Sequence, residues 1–141
     1  MAYIDKAKTV EWTTPKTVFD ELNKEFNFDL DVASTHENAL CEKHFTQAEN
    51  GLVQSWGGYN VFCNPPYSNL GEWIKKAYEE RNQANCIVLL IPSRTDTKAF
   101  HEYIYHKAEI RFLKGRLRFG DGTKPAPFPS MVVIYRKNRL P

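Results

Sequence analysis

Two rhythms of apolar residues run along this chain. From residue 14 to residue 27, Val18, Phe19, Leu22 and Phe26 recur at helical spacing, and Thr14 and Pro15 stand where an N-cap and a first helical residue belong, so TTPKTVFDELNKEFN predicts an amphipathic helix. FDLDVAS follows with Phe28, Leu30 and Val32 in alternation and predicts a short strand whose end is flanked by Asp29 and Asp31. The polar stretch from Thr35 to Asn60 predicts irregular structure with at most one short helix. Val61, Phe62 and Cys63 then predict a strand, and LGEWIKKAYEERNQA places Leu70, Trp73, Ile74, Ala77 and Tyr78 on one helical face. CIVLLIP is a continuous apolar run, as expected of a central strand covered on both faces. A further helix is expected over DTKAFHEYIYHK, then strands at AEIRFL and SMVVIY separated by turn-rich FGDGTKPAPFP. Helix and strand alternate almost throughout, which predicts an α/β fold with a mainly parallel sheet and a C-terminal antiparallel hairpin.

Composition narrows this picture only a little. A chain of 141 residues predicts one domain, 1–141, and 42% hydrophobic with 26% charged residues is ordinary for a globular protein. The longest apolar run is far short of a bilayer span, and the N-terminus lacks the apolar core of a signal peptide, so a cytosolic protein without membrane partners is expected. Three scattered cysteines do not make a disulfide framework. His36, Cys41, His44 and Cys63 match no zinc spacing, and no metal is expected. The net charge of +2 permits nucleic-acid binding without requiring it.

The chemistry concentrates in FCNPPYSN. Neither Pro65 nor Pro66 can donate to a sheet ladder, so the strand stops at Asn64, at the carboxyl edge where ligands bind in open α/β sheets. The Asn64 side chain offers an amide acceptor, and the Pro65 carbonyl is a second one whose direction Pro66 fixes; together they could grip an amino group. Tyr67 supplies an aromatic face for a base. The same four residues also suit a plain tight turn. Arg94 and Asp96, after the central strand, either face this edge or cap the next helix. Arg111, Lys114, Arg116, Arg118, Lys124, Arg136, Lys137 and Arg139 make the C-terminal half basic; a solvated surface is the default reading of any one of them, and Arg116 and Arg118 are the favoured phosphate contacts.

NPPY matches the catalytic motif of S-adenosylmethionine-dependent amino methyltransferases. The ordered blocks EWTTP, FDLDVAS, ENGL, FCNPPYSN, LLIPSRTDTKAFH, FLKGRLRF and APFPSMVVIY resemble the small phage and prophage DNA N6-adenine methyltransferases of the Dam type, over nearly the whole chain. The resemblance implies a Rossmann-like methyltransferase fold of reduced size, S-adenosyl-L-methionine as cofactor, DNA as partner, a flipped-out adenine as substrate and a bacterial host cytoplasm as setting. It implies that Asn64 and Pro65 hold the amino group, that Tyr67 stacks on the adenine and that Phe119 contacts the base, although Phe119 also reads as a core residue beside a turn. Trp12, Thr13, Thr14 and Pro15 would lie against the methionine end of the cofactor, Asp31 would accept from its amine and Asn50 would meet its adenine. Asp31 also reads as a solvated turn residue.

The chain departs from the wider methyltransferase pattern in having DVAST after the first strand instead of a glycine-rich loop, and Asn50-Gly51-Leu52 where relatives carry Asp-Gly-Leu. No stretch remains for a separate target-recognition domain, so weak specificity or a short target read by loops such as 33–60 is expected. Two other readings fit the residues: methylation of another planar amine (cytosine, guanine in RNA or a glutamine side chain), and a nucleic-acid-binding protein without catalysis.

Overall fold

The structure, a computed structural model, describes residues 13–119, 122 and 124–139. Five strands form one sheet: β1 (Leu30–Asp31), β2 (Asn60–Cys63), β3 (Cys86–Pro92), β4 (Glu109–Phe112) and β5 (Ser130–Arg136), in the spatial order β1-β2-β3-β5-β4. β1, β2 and β3 are mutually parallel, while β5 runs antiparallel to both β3 and β4. Four strands therefore share one direction, and β4 and β5 form the expected antiparallel hairpin. β5 inserts between β3 and β4, a placement that strand pattern alone does not dictate.

Two helices cover the sheet, α1 (Lys16–Phe26) and α2 (Leu70–Glu80). Phe19, Leu22 and Phe26 of α1 pack with Phe28 on Phe62, Val88, Leu90, Val132 and Ile134. Trp73, Ile74 and Ala77 of α2 pack on the opposite side, against Val61, Cys63, Ile87, Leu89 and Val133. Alternate residues of β3 thus feed both cores, which is why its sequence is apolar without interruption.

Several boundaries move for tertiary reasons. α1 starts at Lys16, with Pro15 extended at the cap position (φ −61°, ψ 129°) and no side-chain cap. Thr14 is therefore not the N-cap; its hydroxyl is taken by Asn64. The helix expected over DTKAFHEYIYHK contracts to a π-helical turn, Phe100–Ile104, closed by Tyr105 N–H donating to the Phe100 carbonyl. This wider turn points both Phe100 and Ile104 inward. The hydroxyl of Thr97, not the carboxylate of Asp96, accepts from the Phe100 amide at 3.2 Å. β1 is short, but residues 43–45 run beside it: Asp31 N–H donates to the Lys43 carbonyl, and Phe45 and Ser34 continue the ladder. No described helix is long and apolar enough to cross a membrane.

On the α1 side, Arg111 bonds Glu25 at 2.7 and 2.8 Å and Glu109 at 2.8 Å, and Arg136 joins both carboxylates. The two guanidinium groups sit 5.7 and 5.2 Å from the ring centre of Phe26. Arg111 and Arg136 are thereby committed to structure, not to phosphate. Arg111, seconded by Arg136, holds the Glu25 carboxyl down at about 2. Its folded value lies below the unfolded one, so the stabilisation is complete above about pH 4.5 and lost as pH falls towards 2. Glu25 is 43% exposed, and solvent limits the contribution to about 1 kcal/mol. Denaturant titrations across this window should show Glu25→Gln flatter than wild type, with the two converging at the acid end.

Candidate active site

β2 delivers the corner. Cys63 ends the strand, Asn64, Pro65 and Pro66 are buried, and a 3₁₀ turn, Tyr67–Asn69, leads directly into α2. The rigid dipeptide turns the chain from sheet to helix while keeping Asn64 at the strand's carboxyl end. Asn64 is 0% exposed, and its Nδ2 donates to Thr14 Oγ1 at 2.8 Å. Tyr67 is half-buried, and its ring meets Phe128 edge-on, 5.3 Å between centroids at 84°. Burial raises the Tyr67 phenol well above its ordinary value, against the opposing charge of Arg94. Tyr67 at the end of β2 and Arg94 beyond β3 thus share one neighbourhood.

Both line a cavity of about 470 Å³ that opens at this edge. Ile74, Ile91, Phe100 and Met131 give it an apolar floor, and Tyr67, Asn69, Arg94 and Thr97 supply polar groups. Its size and lining are those of a small-molecule or single-base site. Around the same edge, Ser34 Oγ, Asn69 Oδ1, Ser93 Oγ and Ser130 Oγ are buried and meet no hydrogen-bond partner among the described residues. Buried polar atoms are normally paired, so hydrogen-bonding capacity is concentrated where a ligand would lie.

The end of β1 is organised differently. Asp31 is 1% exposed, and its carboxylate accepts from the backbone N–H of Ala33 at 3.3 Å and of Leu40 at 3.1 Å. It is no solvated turn residue; it pins the loop that follows β1. Burial pushes its carboxyl up to about 6 despite those two bonds. A raised folded value makes this group favour folding at low pH, so its contribution falls as pH rises from about 4 to about 6 and is constant above. Comparing unfolding free energies of wild type and Asp31→Asn over that range should reveal a wild-type decline of ~3 kcal/mol relative to the variant.

Asn50 also spends its side chain locally. It sits at φ 58° and accepts from Leu52 N–H at 3.1 Å, capping a 3₁₀ turn, Gly51–Val53. Trp56 Nε1 donates to the Gly51 carbonyl at 2.9 Å, which locks this turn over the second core. A smaller cavity of about 180 Å³, lined by Ser34, Thr35, His36, Glu37 and Thr46, lies beside the loop after β1. His36 Nδ1 and His44 Nε2 are 2.8 Å apart there, and the described residues hold no cluster of three or more His, Cys, Asp or Glu suited to a metal.

Residues 2–141 match the family model of DNA N-6-adenine-methyltransferase (Dam). The chain belongs to that family. It is 37% identical to the DNA N-6-adenine-methyltransferase of Escherichia phage T1 over 108 residues, which are 75% of this chain and 45% of that protein. It is 29% identical over 133 residues to the protein of the same name from Haemophilus phage HP1 (strain HP1c1), covering 88% of this chain and 77% of the relative. The chain thus spans less than half the length of the T1 relative. A mixed α/β fold with a mostly parallel five-stranded sheet is consistent with a methyltransferase.

Within this Dam-family frame, Asn64, Pro65, Pro66, Tyr67, Thr14 and Arg94 gather at one edge, whereas Asp31 and Asn50 brace the loops beyond β1. Trp12 lies outside the described residues, and Thr13 and Pro15 flank Thr14 at the entry to α1. Phe119 is 4% exposed and packs in the α1-side core, so of its two readings the structure realises the core one. Phe128, which the sequence reading did not single out, is the aromatic residue against Tyr67; it packs in turn on Phe119 at 6.2 Å. Its signal was the placement of one ring between two prolines just before an apolar strand. Arg116 and Arg118 are exposed, and Arg116 also reaches the Ala126 carbonyl at 3.4 Å.

Proposed function

We propose that this chain is a DNA adenine methyltransferase that transfers a methyl group from S-adenosyl-L-methionine to the N6 amino group of a flipped-out adenine, working as a single Rossmann-like domain in the cytoplasm of a bacterial host. The observation that carries the reading is the corner itself: a fully buried Asn64 whose amide nitrogen is committed to Thr14, beside a cavity walled by Tyr67. With Nδ2 engaged there, Oδ1 is the end of the amide suited to accept from a substrate amine.

An adenine amine is a poor nucleophile because its lone pair is delocalised into the ring. Acceptance of its two N–H groups by Asn64 Oδ1 and the Pro65 carbonyl favours a pyramidal nitrogen with a localised pair. Such preorganised contacts act most strongly where charge develops. The nitrogen lone pair would form the new bond to the methyl carbon as the bond from that carbon to the cofactor sulfur broke, the sulfur keeping the pair as a neutral thioether; the nitrogen would then lose a proton, which neither an amide nor a carbonyl retains, so it would pass to solvent. Tyr67, braced by Phe128, offers the flipped base a stacking face worth about 1 to 3 kcal/mol.

S-adenosylmethionine, when bound, supplies the methyl group on a positively charged sulfur. The loop after β1 suits such a ligand in one respect: the Ser34 hydroxyl is buried there, meets no partner among the described residues and lines the smaller cavity. Trp12, Thr13, Thr14, Pro15, Asp31 and Asn50 remain the residues assigned to hold the cofactor, with Asp31 and Asn50 doing so through the loops they brace. Arg116 and Arg118, exposed beyond β4, are assigned to DNA phosphates together with Arg94 at the cavity mouth.

The test is transfer of labelled methyl from S-adenosylmethionine to unmethylated duplex DNA, followed by nucleoside analysis. N6-methyladenine is the expected product. Label in cytosine, in RNA or in protein would replace the substrate, and neither transfer nor cofactor binding would leave a nucleic-acid-binding protein.

A further inference from the structure

We infer that Asn69 is a substrate-binding residue of this site, its amide donating a hydrogen bond to N1 or N7, the ring nitrogens beside the amine of the flipped adenine. The inference rests on the methyl-transfer reading above and adds to it a contact on the ring, next to those on the amine. Asn69 lines the cavity of about 470 Å³, two residues beyond Tyr67 along the turn that leads from β2 into α2. A base stacked on Tyr67 therefore lies with an edge towards it.

Two features leave the amide available for this contact. Asn69 stands in the N-cap position of α2, where an asparagine ordinarily accepts from the first turn of the helix, yet at φ −136° and ψ 41° it makes no side-chain cap bond. Its Oδ1 is buried and meets no hydrogen-bond partner among the described residues, whereas Asn69 as a whole is half-buried. The oxygen is thus the inward end, and Nδ2 is the end left to the cavity. Other polar side chains of the lining are differently placed: Thr97 Oγ1 accepts from the Phe100 amide at 3.2 Å, and Ser68, Glu72 and Arg94 are exposed.

Donor and acceptor chemistry decides what this nitrogen can meet. Both N–H groups of adenine belong to its amine, and the acceptors proposed to hold them are Asn64 Oδ1 and the Pro65 carbonyl. The ring nitrogens that remain carry bare lone pairs, so they accept and cannot donate. An amide Nδ2 is their complement, and a carboxylate in its place would repel them. A base held only at its amine and on one face can still rotate in its own plane. A bond from Asn69 to the ring stops that rotation and keeps the amine aimed at the methyl group.

Single-turnover methyl transfer is to be measured for wild type, Asn69→Ala and Asn69→Asp on duplex DNA with adenine, 7-deazaadenine or 1-deazaadenine in place of every adenine. On adenine, the alanine variant is expected to be about tenfold slower than wild type and the aspartate variant slower still. For one of the two analogues, the analogue-to-adenine rate ratio should be about tenfold higher in Asn69→Ala than in wild type, because the variant no longer makes the bond that the analogue lacks. Changes that a missing ring nitrogen makes to amine reactivity or base pairing occur in both proteins and cancel in this comparison. A purely structural role for Asn69 would leave the ratios alone, and thermal melts of the variants report folding. Unchanged adenine rates in Asn69→Ala, or ratios equal in the two proteins for both analogues, would overturn the inference. If wild type forms no N6-methyladenine at all, the functional reading fails and this inference falls with it.

Discussion

Asn64→Ala is expected to slow methyl transfer to DNA by about a hundredfold or more while leaving cofactor binding in place. The substitution removes one of the two acceptors proposed to grip the substrate amine, and a preorganised acceptor of this kind contributes where charge develops on the nitrogen. Asn64 is fully buried, and the change also takes a donor from Thr14 Oγ1, so a stability loss of about 1 kcal/mol should accompany the rate effect. A thermal melt beside the rate assay separates the two. Asn64→Asp, which keeps an acceptor at the same place, should retain more activity than alanine. Equal rates for wild type and Asn64→Ala would remove the corner from the chemistry and return NPPY to the status of a turn.

The second large effect is structural. Gly51→Ala should destabilise the fold by about 3 kcal/mol or more, at or beyond the upper end of ordinary overpacking, as read by chemical denaturation. A Cβ at Gly51 would stand 2.2 Å from the Val32 carbonyl oxygen and 3.0 Å from the Trp73 ring. The first is a backbone atom just past β1 and the second a fully buried side chain, so neither can step aside cheaply. The Trp56 Nε1 bond to the Gly51 carbonyl would be displaced as well. Gly58→Ala is the natural comparison: no atom lies within 4 Å of its Cβ position, but its φ of 83° makes the cost backbone strain instead of a clash. If Gly51→Ala unfolds at wild-type denaturant concentrations, the close approach of this turn to β1 is wrong.

Some of this was legible in the sequence, and the reasons are physical. CIVLLIP maps onto β3 without a boundary error, because burial on both faces leaves an unbroken apolar signature that nothing else in the chain imitates. NPPY announced its own corner, since proline chemistry is local. What escaped was decided by distant partners. Thr14 has the chemistry of a helix cap, yet its hydroxyl bonds Asn64; Arg111 has the chemistry of a phosphate contact, yet its guanidinium lies on Glu25, 86 positions away. Phe119 and Phe128 stand on either side of one turn-rich stretch, and composition could not say which would sink into the core and which would meet Tyr67. The loop after β1 looked irregular because its order comes from bonds between residues 43–45 and β1, and these leave no periodicity behind.

The order β1-β2-β3-β5-β4 has a consequence for how the chain is made. β5 is the last of the five strands to leave the ribosome, yet all seven of its residues pair with β3, and four also pair with β4. Until residue 136 has emerged, β3 has an uncovered edge, β4 has no neighbour, and both cores lack the side chains that β5 contributes. A nascent chain therefore cannot complete its sheet by adding strands in the order of synthesis. It must hold an open, apolar strand edge until β5 emerges and then close in one step, which makes the interval just before β5 appears the moment of greatest exposure to aggregation and to chaperones.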